Sequence, residues 1–96
     1  MELFIFARFH ARPGNESAVK EALHKVLEPT RAERDCLSIH AFQSVRDSRL
    51  FYIHSRWKDE AAFDRHASLP HTVSFIKCIE PLINHGLDVT RTECID

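Results

Sequence analysis

An α+β domain with element order β-α-β-β-α(α)-β and a four-stranded antiparallel sheet is predicted by three observations. Apolar residues alternate or cluster in four short segments, they recur at helical spacing in the stretches between them, and the order of segments divides the chain into two similar halves. At 96 residues there is room for one domain, residues 1–96. A chain this short buries only about 60 to 65% of the surface its unfolded form exposes, so a partner that covers more of it adds stability.

The first strand runs from Leu3 to Ala11. Its two phases, Leu3/Ile5/Ala7/Phe9 and Phe4/Phe6/Arg8/His10, both begin apolar, which predicts a strand covered on both faces. Arg12-Pro13-Gly14 breaks it. Asn15 is placed to cap the first helix, Glu16 suits its positive end, and Val19, Leu23, Val26 and Leu27 carry the helical period on to about Arg34. Cys36 to Gln43 is the second strand. Ser44 to Arg49 forms a polar hairpin loop, and Leu50 to Trp57, rich in aromatic and β-branched residues, returns antiparallel as the third. Asp59 caps a second helix in which Ala62, Phe63 and His66 share a stripe. Pro70 fits the first turn of a third helix, where Val73, Ile76, Ile79 and Ile83 form the apolar face and Pro81 kinks or ends it. After the breaker Asn84-His85-Gly86, Leu87 to Cys94 is the last strand. This is the split β-α-β order of ferredoxin-like domains. One sheet face takes the helices. The other carries Phe4, Phe6, Arg8 and His10 and is expected to be covered by a second copy of the chain.

Composition narrows the function. The chain is 44% apolar and 28% charged, with a formal net charge of -1, and its arginines are scattered, so no nucleic-acid footprint is present. No run approaches the roughly 20 apolar residues of a membrane span. The N-terminus lacks the basic, apolar and small-residue regions of a signal peptide, which predicts a cytoplasmic protein. Cys36, Cys78 and Cys94 are odd in number and share no CxxC spacing, so they are expected to be buried, inert thiols. With Gly14 and Gly86 the only glycines, there is no P-loop, GxGxxG or nucleophile elbow, and no cofactor is expected.

The segment from Phe51 through Trp57, Asp59, Phe63 and His66 to Pro70-His71 is a strand ending in Trp, a short helix ending in His, and a Pro-His step into the last helix. With Arg12-Pro13-Gly14 after the opening strand, it resembles the antibiotic biosynthesis monooxygenase family over essentially the whole chain. The resemblance implies a dimeric α+β barrel. It also implies one of several chemistries: cofactor-free oxygenation of quinols and polyketides, haem degradation, or isomerisation of phosphorylated carbonyl compounds. Ser55 stands two places before the Trp, where the family often has an acid. Ala7 and Ile76 stand where haem-degrading relatives carry Asn and His, which disfavours haem degradation.

Seven histidines in so short a chain are the richest source of candidate chemistry. His24 and His85 lie in solvated settings. His66, three after Phe63, is aimed at the sheet and is the candidate base, because burial penalises its charged form and suits it to take a proton from a phenol or enol. Trp57, Phe51 and Phe63 would wall a cleft, with Ser55 or His40 hydrogen-bonding a substrate oxygen and His71 at the mouth. The simplest hairpin register puts His40 on the face of Ile53, Ser55 and Trp57. His66 and His71 show no HxxxH, HExxH or two-His-one-carboxylate spacing, so no metal is expected.

The leading expectation is a cofactor-independent monooxygenase acting with O₂ on a small phenolic, quinol or polyketide-like substrate, as a homodimer. A keto-enol isomerase of a small carbonyl compound, with Arg56 or Arg65 as an anion site, is the second. A non-catalytic ligand-binding dimer is the third.

Overall fold

The four strands pair antiparallel in the order β2-β3-β1-β4, the ferredoxin-like topology, in a computed structural model that describes residues 1–96. They are β1 (Leu3–His10), β2 (Cys36–Gln43), β3 (Leu50–Trp57) and β4 (Asp88–Thr92). Helices α1 (Glu16–Arg31), α2 (Glu60–Ser68) and α3 (Pro70–Ile79) complete the domain, with a 3-10 turn at Glu80–Leu82 where Pro81 ends α3. No helix is long and apolar enough to cross a membrane.

Alternation divides the sheet cleanly. Ala7 and Phe9 of β1 and Phe51 and Ile53 of β3 turn inward and pack with Val19, Leu23 and Val26 of α1 and Phe75 and Ile79 of α3. A second, smaller cluster of Leu3, Ile5, Trp57 and Ala62 fills the end of the sheet beneath α2. Asp59 caps α2 as its sequence position predicts, its Oδ1 accepting from the Ala62 amide at 2.8 Å. The outward face keeps Phe6 52%, Phe42 51% and Tyr52 39% exposed, a run of aromatic surface that no element of the chain covers.

Several expectations are corrected. The hairpin closes with Gln43 opposite Phe51, so His40 sits opposite His54 and Ala41 opposite Ile53. Directly paired residues share a face, which puts His40 on the outward side, away from Ser55 and Trp57. Helix α1 stops at Arg31, short of Arg34, because the Arg31 guanidinium donates to the Ile39 carbonyl from Nε (3.2 Å) and Nη2 (2.9 Å) and ties the helix end to β2. Residues 32–35 therefore form a turn. The Asn15 side chain does not cap α1; its amide reaches the Leu82 carbonyl at 3.4 Å. On α3 the inward face is Thr72, Phe75 and Ile79, and Val73 is exposed, since the bulk of Phe75 sets the phase. Ile83 lies past the helix, buried and bridged to Ala11.

The thiols are not uniformly buried: Cys78 and Cys94 are exposed and only Cys36 is partly covered. Burial, followed by the Glu33 charge, pushes the Cys36 thiol up to about 11, so it holds its proton at neutral pH. Mass-resolved alkylation with iodoacetamide should label Cys78 and Cys94 first and Cys36 last; early labelling of Cys36 would contradict this order.

Candidate active site

The site is built where three segments meet over the inner end of β3. Trp57, the last residue of β3, faces the helices and is 1% exposed. Helical spacing brings Ala62 and His66 of α2 down onto it. The His66 ring lies 4.5 Å from the indole and 5.6 Å from Phe63, and Phe63 meets Trp57 edge-on at 5.6 Å. Pro70 starts α3 immediately after α2, which swings His71 back beside His66 with ring centroids 6.0 Å apart.

Glu33 joins these two rings. Its Oε2 lies 2.7 Å from His66 Nδ1 and 2.7 Å from His71 Nε2. A carboxylate only accepts, so His66 donates from Nδ1 and His71 from Nε2. Thr72 Oγ1 sits 3.2 Å from the same His66 nitrogen. That arrangement leaves the lone pair of His66 Nε2 free of any protein partner, the disposition of a carboxylate-backed general base. All three side chains are largely withdrawn from solvent, at 13% (Glu33), 11% (His66) and 23% (His71) exposure. Burial lowers the His66 pKa below its ordinary value. Hydrogen bonding and charge from Glu33 oppose this, the nearby His71 adds to it, and burial prevails.

An open cleft of about 440 Å³ reaches the triad, lined by Glu33, Arg34, Asp35, Trp57, Ala62, Arg65 and Leu69. The triad meets this cleft through Glu33, with His66 behind the lining. His71 also borders a separate cleft of about 400 Å³ between α1 and α3. The Trp57 side is where a flat aromatic wall and the buried carboxylate coincide, and its volume lies in the usual range of small-ligand sites, about 300–1,000 Å³.

The family model described as antibiotic biosynthesis monooxygenase matches residues 3–77. The chain belongs to that family. It is 30% identical over 92 residues to the protein of Mycobacterium tuberculosis named "Putative monooxygenase Rv0793", covering 96% of this chain and 90% of that one. It is 28% identical over 87 residues to "Putative monooxygenase YcnE" of Bacillus subtilis, covering 91% and 92%. Among solved structures, Rv0793 superposes with a TM-score of 0.94 at 27% identity, over 100% of this chain and 97% of that one. PA3566 from Pseudomonas aeruginosa gives 0.92 at 30% identity, over 99% and 95%.

Within this family member, the structure gathers Trp57, Phe63, His66 and His71 as one group. It separates the other candidates. His40 is exposed on the outward face, beside Arg31 at 3.4 Å. Phe51 is 1% exposed and stacks on Phe9 in the main core, at the far end of β3. Ser55 is buried, and its Oγ accepts from Trp57 Nε1 at 2.9 Å, so it orients the indole from behind the cleft. Arg56 lies on the outward face over Phe4 and paired with Glu2, whereas Arg65 lines the cleft and bonds Asp35 at 2.7 Å. Glu33 was not legible: it is one acid in a polar turn, 33 residues before His66. The two-His-one-carboxylate set that chain spacing does not contain is thus present in space.

Proposed function

We propose that this chain is a cofactor-independent monooxygenase acting on a small phenolic, quinol or polyketide-like substrate, and that it works as a homodimer. The observation that carries the reading is the buried Glu33–His66–His71 triad beside the Trp57 wall. Family membership and the names of the two curated relatives support the same class of reaction.

In this reading the substrate ring lies against Trp57. Its acidic proton passes, directly or through a water, to the free Nε2 of His66, and the Glu33 carboxylate bonded to Nδ1–H stabilises the imidazolium that forms. The resulting electron-rich anion reduces O₂ directly, one oxygen atom bonds to the substrate carbon, and the other leaves as water with the two hydrogens the substrate has lost. All the electrons come from the substrate. The protein binds, deprotonates and keeps bulk water from the reacting carbon. Incubation with a panel of quinols and isotope-labelled O₂ under metal-free conditions tests it: one labelled oxygen in the product is expected. Proton exchange at carbon without oxygen uptake would transfer the site to a keto-enol isomerase, with Arg34 and Arg65 at the cleft rim as anion contacts. Neither activity would leave a binding role.

The homodimer rests on the outward aromatic face of Phe6, Phe42 and Tyr52. Phe6→Asp buries a charge in such an interface and is expected to convert a dimer to a monomer in sedimentation equilibrium. A monomeric wild type would refute the assembly.

A further inference from the structure

We propose that Glu33 Oε2, His66 Nδ1 and His71 Nε2 form a three-ligand site for a divalent transition-metal cation of the zinc class. The first argument is charge. The Glu33 side chain is only 13% exposed, yet no Lys or Arg pairs with it; its ionic partners are the two imidazoles alone. Of the two arginines that line the cleft, Arg65 is paired with Asp35 and Arg34 forms no ion pair with Glu33. A buried carboxylate without a permanent counter-charge is costly, and a dication at the point where the ligand atoms converge removes that cost.

The second argument is ligand geometry and type. The three atoms lie within 4.8 Å of one another. Tetrahedral bonds of about 2.0–2.1 Å set ligand atoms about 3.4 Å apart. The two short N···O separations of 2.7 Å therefore open by well under an ångström to admit the ion. Each imidazole stays neutral by moving its proton to its other nitrogen. Two nitrogens and one oxygen select zinc and its neighbours over magnesium or calcium, which prefer all-oxygen shells. Trp57 packed against the His66 ring holds that ligand in place, and Glu33 borders the cleft, so water can complete the shell.

The inference goes beyond the oxygenase reading and does not depend on it. A cation here occupies the groups that would hold the substrate's proton, so zinc is a competitor of the base. Calorimetric titration of the metal-stripped full chain with Zn²⁺ reads binding and not turnover. One ion per chain is expected, with a rise in Tm. Glu33→Gln and His71→Ala, each confirmed folded by circular dichroism, should weaken that site by at least about tenfold, the lower bound for losing even an outer partner. Co²⁺ should show the intense visible bands of a low-coordinate site in wild type and lose them in both variants. No saturable Zn²⁺ binding would overturn the proposal. So would binding that survives in both variants, which would place the ion on exposed histidines or Cys94 and leave the Glu33 charge balanced by a proton on an imidazole.

Discussion

Oxygen-consuming turnover should fall by about 10²- to 10⁴-fold when His66 is replaced by alanine, the range over which a positioned general base contributes. The expectation follows from what the ring does in the site. Its Nδ1 is committed to Glu33, its Nε2 is free, and burial keeps it neutral against the pull of the carboxylate. Alanine removes the proton acceptor and leaves Glu33 with His71 alone. Glu33→Gln should reduce turnover by less, because it preserves shape but replaces a charged acceptor with an amide that cannot favour an imidazolium. Both effects should appear in kcat more than in KM, since the lost interactions develop with the transferred proton. A folded His66→Ala protein with wild-type oxygen uptake would remove His66 from the mechanism, and attention would shift to His71.

Trp57→Ala should be the costliest single truncation for the fold, at about 3–5 kcal/mol, as for large aromatics elsewhere. The indole is 1% exposed and dominates the small cluster of Leu3, Ile5 and Ala62, which has little else to collapse into the space. Its loss also strands the buried Ser55 hydroxyl that accepts from Nε1. Because small domains are held by only about 5–15 kcal/mol in total, the variant should show a much lower urea midpoint or a partly unfolded baseline. Trp57→Phe fills most of the volume and should recover part of the loss. A change below about 1 kcal/mol would mean that the cluster contributes little to the native state.

The aromatic and metal readings of the site share residues but separate in experiment. Oxygen uptake reads turnover of a substrate, whereas zinc calorimetry depends only on Glu33, His66 and His71. The cleft itself adds a constraint on substrate. Its lining sets the Trp57 ring beside a rim of both signs, Glu33 and Asp35 with Arg34 and Arg65, so under the proposed reading the flat wall and not net charge would select the substrate.

What the sequence determined by itself was what short-range chemistry controls. Strand alternation at Leu3–His10, helical spacing through Val19 and Leu27, the Asp59 cap and the Pro70 start all fix local conformation within a few residues, and β1 and the starts of the three helices lie where those signals place them. The fold order followed, and with it the inward stripe that brought His66 to Trp57. Tertiary structure alone decided three things. It set the register of β2 on β3, where a one-residue difference turned His40 outward, because a strand's two faces exchange with every single step. It ended α1 at Arg31, through a side-chain bond to a carbonyl on the next strand that helical periodicity cannot encode. By ending it there, it aimed Glu33 between two imidazoles more than 30 residues downstream, and so made a triad from residues whose separation along the chain carries no trace of their contact.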